Sequence, residues 1–395
     1  MSSKAPLGAA SAQAGPKAPV SMCVIVRDEP LLEQALLSVR PYVEEIVVVI
    51  TSRGDAASWE VASRIADVVE VDERCNLLDG QMTGEIWNFS IARNRSFDLA
   101  TKPWILWMDA DDVVEGLERL PEVLRIADAG RMGGALEVCA HFPYEYQHDG
   151  RGVCWVLQTR ERLFSNFARP ARFRWMDECH ELCLSVDTSR TVILPEMDQI
   201  VWKHRRHLST KAFDGQRNLR IMRKMVQRRP DDLRAKFYFG NALASAGLLD
   251  EAIPVLADYV RRSNSEDEKA LACLRLVNLC LHKNDLDDAV LWGLRLVATR
   301  ESWSEGYSAL CRAFYFLAQR GGAESQRHWE RCVHFGKIAV KMPPTKTAQF
   351  VGAFKVKAFL DPAFSVGGDR CILRFAKFGQ LIEGLLMLCI IALVL

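Results

Sequence analysis

The chain has 395 residues, of which 49% are hydrophobic and 26% are charged, and its formal net charge is +1. This length predicts two or three domains, and this composition excludes an intrinsically disordered chain. A near-neutral chain is not suited to extensive nucleic-acid binding, so we expect no nucleic-acid partner.

The first nineteen residues are rich in Ala, Ser, Gly and Pro and predict a flexible tail, without the charged-then-apolar pattern of a signal segment. The twelve cysteines are scattered with no paired CxxC set, which favours a reducing, cytoplasmic location. The segment Cys179-His180-Glu181-Leu182-Cys183 resembles part of a zinc site, but no second ligand pair at suitable spacing accompanies it.

Strand-like and helical patterns alternate along the first third of the chain. After the β-branched run 21–27, Pro30 is predicted at the first position of a helix that follows Asp28. The other segments are a strand at 45–51, a helix at 58–66, a strand at 67–72, a helix at 90–100 and a strand at 104–108, with further strand-like segments at 133–142, 153–164 and 190–202. This alternation predicts a mostly parallel sheet with helices on both faces.

The segment 104–112, WILWMDADD, carries the clearest chemical signal. Five large apolar residues predict a buried strand, and three carboxylates follow directly, on Asp109, Asp111 and Asp112. In open α/β sheets ligands bind beyond the carboxyl ends of the strands, and two carboxylates spaced i, i+2 can converge on a hard cation. The alternative is a solvated helix start capped by aspartate.

Residues 209–340 read as helical throughout and contain a repeated register. The small-residue and acidic pattern around Ala252 returns around Ala289, 37 residues later. Helical hairpin repeats have a period near this value, whereas the alternative is a generic helical domain. We therefore predict an α/β domain over 20–208, an all-α helical-hairpin repeat domain over 209–345, and a C-terminal segment over 346–395.

Two motifs together resemble glycosyltransferase family 2, whose domain has the A-type nucleotide-sugar fold. They are the first strand, CVIVRDE at 23–29, and the block WNFSIARN at 87–94 followed by the acidic strand end at 104–112. A subgroup of that family carries tetratricopeptide repeats after the catalytic domain. The resemblance implies a metal-dependent, inverting transfer from a nucleoside-diphosphate sugar to a protein, peptide or glycan acceptor.

The resemblance also implies site residues on the donor side. Asp109 and Asp111, with His204 as a late ligand, would hold Mn²⁺ or Mg²⁺ against the diphosphate. Arg93, with Asn94 beside it, would bind substrate, unless Arg93 is a surface residue paired with Asp98. Two further residues after the first strands, Asp28 and Asp55, would bind base or ribose, or else cap helices. Ile50 stands where many family members have Asp, which leaves the base open.

A second cluster, 160–164 with 172–181, resembles the family's acceptor-side stretch. Inverting transfer needs a base, for which Glu181 is the first candidate and Asp177 the second, while His180 would orient substrate. The alternative is an ordinary charged hairpin.

The apolar segment 381–395 would reach roughly 22 Å as a helix, short of a ~30 Å bilayer core. Flanked by Arg370, Arg374 and Lys377, it predicts a peripheral membrane anchor, or else a packed helix or self-association face. The repeats could also form a homodimer. Two other functions remain open: a repeat scaffold with a decayed catalytic domain, and a nucleotidyltransferase, which would need a Gly-rich phosphate loop that 23–31 does not contain.

Overall fold

A computed structural model describes residues 16–132, 137–148, 152, 154–210 and 214–343. This part of the chain divides into two compact units, one ending at Tyr259 and the other beginning at Val260. Within these ranges no helix combines the length and the apolar character needed to cross a bilayer. The predicted anchor at 381–395 lies outside the described residues.

The first half of the α/β unit follows the predicted alternation. Its elements are β1 (Ala18–Val26), α1 (Leu32–Val39), β2 (Val43–Ile50), α2 (Ala56–Ile65), β3 (Val68–Val71), β4 (Leu77–Leu78), β5 (Gln81–Met82), α3 (Phe89–Leu99) and β6 (Trp104–Asp109). β1 pairs in parallel with β2 and β6, and β2 pairs in parallel with β3. The prediction of a mostly parallel sheet is confirmed for these strands.

The predicted start of the first helix is wrong. α1 begins at Leu32, and Pro30 lies in the turn before it. Asp28 adopts a positive φ of 48°, and its backbone N–H donates to the Asp55 carboxylate at 2.6 Å. This left-handed turn diverts the chain before the helix can begin.

The second half of the sheet contains the antiparallel strands. Its elements are β7 (Asp112–Glu115), α4 (Leu120–Met132), β8 (Glu137–His148), β9 (Cys154–Ser165), β10 (Phe173–Met176), β11 (Leu182–Ser185), β12 (Thr191–Leu194) and β13 (Val201–His204). The main sheet has the order β3-β2-β1-β6-β9-β8-β13-β7, with β12 also paired to β8, while β10 and β11 form a separate hairpin. The predicted strand at 190–202 is therefore two short strands, β12 and β13.

Side chains of β1 alternate between two apolar layers, one on each face of the sheet. Met22 and Val24 belong to the layer that contains α1 and α4, whereas Cys23 packs with Phe97 of α3 and with Trp175. The strand is buried on both faces, which explains why its sequence is continuously apolar.

The remaining elements are helices: α5 (Arg217–Arg228), α6 (Leu233–Ser245), α7 (Leu249–Arg262), α8 (Glu266–Lys283), α9 (Leu286–Thr299), α10 (Ser304–Gln319) and α11 (Ser325–Lys341). Gly247 and Asn284, 37 residues apart in the sequence, both adopt a positive φ, 75° and 62° respectively, at the turn between two helices. The predicted repeat register is thus visible in the backbone. Within the second unit, Gly293 packs closely against Leu310. A Cβ added to the glycine would lie 2.7 Å from the leucine side chain.

Candidate active site

Strand pairing gathers the acidic residues and a distant histidine at one sheet edge. The chain turns after β6 and returns as β7, which pairs antiparallel with β13 and sets His204 opposite Asp112. The backbone N–H of Arg205 also donates to the Asp111 carbonyl at 2.8 Å. The sheet topology therefore accounts for the predicted meeting of the acidic strand end with the late histidine.

Asp112 is fully buried and its carboxylate is surrounded by partners. It accepts hydrogen bonds from the Asp109 backbone N–H at 3.1 Å and from the Tyr144 hydroxyl at 3.0 Å. His204 Nδ1 lies 3.2 Å from the same carboxylate, and a buried nitrogen of Arg162 lies at the same distance. These contacts of the Asp112 carboxylate hold the acidic turn in place. No role was predicted for Asp112, Tyr144 or Arg162, although Asp112 belongs to the same acidic run as Asp109 and Asp111.

Asp111, Asp112 and His204 can each direct one ligand atom into a common space, and these atoms lie within 4.8 Å of one another. Burial raises the pKa of Asp111 to about 7. Burial acts to lower the pKa of His204, but its hydrogen bond to Asp112 and the charges of the nearby carboxylates raise it to about 9. The raised pKa values of Asp111 and His204 indicate that several carboxylates lie close together, and a bound divalent cation would offset their negative charge. Of the three predicted ligands, Asp111 and His204 come together here.

The third predicted ligand, Asp109, is paired with the predicted phosphate-binding arginine. Arg93 Nη2 donates to Asp109 Oδ1 at 2.7 Å, and Arg93 Nε donates to Glu181 Oε1 at 3.3 Å. The guanidinium carbon lies 4.3 Å from the ring centre of Trp107 and 5.0 Å from that of Trp175. Burial opposes the Asp109 charge, yet Arg93 lowers the pKa of this carboxyl to about 2. One guanidinium therefore connects the acidic turn to the predicted base.

The alternative partner for Arg93 is wrong, because Asp98 pairs with Arg174 at 2.6 Å. Asn94, predicted to bind substrate, bonds to the backbone of Trp175 through its side-chain amide. Its side-chain amide donates to the Trp175 carbonyl and accepts from the Trp175 N–H, both at 2.9 Å. This pair of bonds joins α3 to β10 and positions the indole that packs on Arg93.

The acceptor-side stretch is indeed a hairpin, and its turn at 177–181 carries the three predicted residues. Asp177 and His180 have positive φ values of 71° and 54°. The Asp177 carboxylate lies 2.8 Å from Arg229 and 3.6 Å from Arg234. The two candidate bases therefore have different partners: Asp177 pairs with Arg229, just after α5, and with Arg234 of α6, whereas Glu181 is bonded to Arg93.

His180 stacks on a tyrosine of α6. Its ring centre lies 4.3 Å from that of Tyr238, with the planes only 12° apart. Burial lowers the pKa of His180 to about 4, and the positive charges of Arg160, Arg234 and Arg217 act in the same direction. The imidazole is therefore neutral at physiological pH.

Asp28 and Asp55 lie beyond the first two strands, as predicted, but their environments differ. Asp55 is buried and caps α2, accepting from the Ser58 N–H at 3.0 Å, which confirms the capping prediction for this residue. The Asp28 side chain is 61% exposed and caps no helix. A third acid at this edge, Asp72 after β3, is buried and bonded to Arg74, and sequence analysis did not single it out.

Arg160, two residues before Arg162 on β9, was not assigned a role either. In the described part of the chain its guanidinium has no hydrogen-bond or ion-pair partner. Burial lowers its pKa, but Glu161 and the nearby Tyr238, Tyr144 and Asp109 outweigh this effect and raise it. A cation in such a position is available to an anionic ligand.

Comparison with known proteins gives one family and several partial likenesses. Residues 21–179 match the family described as glycosyl transferase family 2. The SPbeta prophage-derived glycosyltransferase SunS of Bacillus subtilis is 22% identical over 284 residues, which are 68% of this chain and 60% of that protein. A TPR repeat-containing protein of Synechococcus elongatus is 36% identical over 110 residues, 27% of this chain and 22% of that protein. The chain thus spans less than two thirds of these curated relatives.

Among solved structures, the crystal structure of S. aureus TarS 1-349 has 13% identity and a TM-score of 0.35, covering 72% of this chain and 92% of that one. The structure of MamA MSR-1 has 14% identity and a TM-score of 0.27, covering 32% of this chain and 69% of that one.

Proposed function

We propose that this chain, whose residues 21–179 form a glycosyl transferase family 2 domain, moves a sugar from a nucleoside-diphosphate sugar to a protein, peptide or glycan acceptor. The observation that carries the proposal is the pair of hydrogen bonds that Arg93 donates, one to Asp109 and one to Glu181. It joins a cation-binding acidic turn to a carboxylate suited to act as a base, which is the pair of functions that glycosyl transfer requires.

The donor side would use Mn²⁺ or Mg²⁺. The acidic turn fits such an ion because Asp111, Asp112 and His204 present oxygen and nitrogen ligands within 4.8 Å of one another. The ion, when bound, supplies positive charge to the diphosphate leaving group. Asp109, already bonded to Arg93, would bind through its other oxygen or through water. Asp28 and Asp55 remain proposed contacts to base or ribose.

Glu181 is the proposed base of an inverting transfer. Its only hydrogen bond within the described part of the chain comes from Arg93 Nε, which leaves acceptor positions for a proton from the incoming nucleophile. Asp177, the second candidate, already pairs with Arg229 and Arg234, and these contacts favour a positioning role for it.

The acceptor would approach past Arg160 and the stacked pair of His180 and Tyr238. This edge combines an unpartnered guanidinium with two flat rings, which suits an acceptor with polar groups on a rigid frame. The tetratricopeptide-like helices would hold the remainder of the acceptor. Dimerisation through these helices, contact of 381–395 with a membrane surface, and a cytoplasmic location stay predictions.

A panel of nucleotide sugars incubated with the protein and Mn²⁺ tests the proposal, with release of nucleoside diphosphate as the readout. We expect one donor to be hydrolysed slowly by the wild type and by Glu60→Gln, an exposed control on α2. Asp111→Asn should abolish hydrolysis. Glu181→Gln should retain donor-dependent protection against thermal unfolding but lose transfer once an acceptor is known. Absence of metal-dependent donor binding across the panel would refute the proposal.

A further inference from the structure

A second group of metal-ligand side chains lies at the end of the β8–β9 hairpin where the two strands are connected. Glu145 and His148 of β8 and Cys154 of β9 can each direct one ligand atom into a common space, with these atoms within 4.8 Å of one another. His148 and Cys154 are directly paired residues across the two strands. None of the three belongs to the candidate active site.

His148 is the central residue of this group. Its side chain is only 2% exposed, and its Nε2 lies 3.2 Å from Glu145 Oε2. The other ring nitrogen, Nδ1, is buried and has no hydrogen-bond partner among the described residues. A buried polar atom left without a partner costs free energy, so such an atom in a folded protein calls for a ligand or an ordered water.

A second imidazole lies beside these three residues. The ring of His207, in the short helical turn 206–208, has its centre 4.9 Å from that of His148. Because His207 is exposed, its ring can rotate toward the group without disturbing the core. Together the residues offer one sulfur, two imidazoles and one carboxylate.

This ligand set indicates the class of metal. Thiolate and imidazole ligands select borderline-soft ions such as Zn²⁺, whereas Mg²⁺ and Mn²⁺ prefer oxygen. Four ligands at usual zinc distances are separated by roughly 3.3–3.8 Å in a tetrahedron. The ligand atoms of Glu145, His148 and Cys154 lie within 4.8 Å of one another, so these three residues need only small movements to reach that spacing. We propose that Glu145, His148, Cys154 and His207 bind Zn²⁺.

Such an ion would connect the hairpin end to the turn that follows β13. Tyr146, which lies between Glu145 and His148, stacks on His204 with ring centres 5.5 Å apart and planes 16° apart. The zinc site would therefore hold Tyr146 and His204 in place without touching the donor. The inference does not depend on the proposed transferase activity.

Titration of the full-length, chelator-stripped protein with Co²⁺ tests the inference, because tetrahedral cobalt bound to thiolate gives strong visible bands and a near-ultraviolet sulfur-to-metal band. We expect one equivalent to bind with both signals and to be displaced by Zn²⁺. Cys154→Ser should remove the sulfur band, and His148→Asn should weaken binding at least 100-fold. Two control variants should keep both the sulfur band and the cobalt affinity. They are Cys280→Ser, at a buried position of α8, and Asp111→Asn.

A second measurement needs no variant. In the wild type, Zn²⁺ should slow alkylation of Cys154, followed by mass spectrometry, at least tenfold, without changing the alkylation of cysteines in the helices. Absence of the sulfur band from the wild type, its survival in Cys154→Ser, or unchanged alkylation of Cys154 would overturn the inference.

Discussion

Arg93 and Asp109 form a 2.7 Å ion pair between the first turns of α3 and the end of β6, sixteen residues apart in the chain. The guanidinium also reaches Glu181, and Trp107 and Trp175 pack against it, so that the Arg93 side chain is largely shielded from water. The free energy of a buried charge depends on its ion-pair partners, because removing one partner leaves the other charge buried and uncompensated. The position of Arg93 thus determines the positions of both carboxylates.

Arg93→Lys tests this dependence. Lysine keeps the charge but cannot present two N–H groups to separate carboxylates, nor place a planar cation against the rings of Trp107 and Trp175. We expect transfer to fall by about 100-fold or more, with a preserved circular-dichroism spectrum. In a double-mutant cycle with Glu181→Gln the two losses should not add. Full additivity would show that Arg93 does not act through Glu181.

Asp111→Asn and Asp112→Asn should have different effects, although the two residues are adjacent. Asp112 is buried against Arg162, so its substitution should lower the free energy of unfolding by roughly 3 kcal/mol without any added metal. Asp111→Asn should leave the metal-free melting temperature unchanged or higher, and should lose the increase that Mn²⁺ gives the wild type. Thermal melts with and without Mn²⁺ provide the measurement, with Glu60→Gln as control. An equal loss of stability in Asp111→Asn and Asp112→Asn without metal would contradict the prediction that only Asp112 stabilises the metal-free fold.

The strands and helices up to Asp109 could be predicted because each carries its own periodicity. The apolar run 104–108 and the acids after it specify a strand end whatever the rest of the chain does. The repeat register was equally local, since Gly247 and Asn284 occupy matching turns. The start of α1 could not be predicted, because the Asp28–Asp55 bond that diverts the chain joins residues 27 positions apart.

The contacts inside the site join elements that are distant in the chain and were not predictable. Asn94 belongs to a recognisable motif, yet its amide bonds to Trp175, 81 residues away. Arg162 pairs with Asp112 only because β9 and β6 are neighbours in the sheet. A motif can indicate that a residue matters, but its partners on distant elements appear only in the folded chain.

His180 provides a test based on pH. Its pKa is lowered to about 4 in the folded protein, from an unfolded value near 6.5, so between these pH values the unfolded chain binds more protons. Its contribution to stability is therefore present at neutral pH and declines as pH falls from 6.5 toward 4. His180→Asn, which tolerates the positive φ, should lose less stability than the wild type over this window in denaturant titrations. His282→Asn, exposed on α8, should follow the wild type.

Shortened chains test where the catalytic domain ends. The predicted boundary at 208 would remove α5 and α6, and with them Arg229, Arg234 and Tyr238, which contact the 177–181 turn. We expect a protein ending at 208 to lose acceptor-dependent transfer and to melt at lower temperature, because Asp177 and Glu178 would lose their cationic partners. A protein ending at 264, after α7, should keep metal-dependent donor binding, measured by calorimetry. If the chain ending at 208 transfers sugar as fast as the longer one, α5 and α6 are not part of the acceptor side.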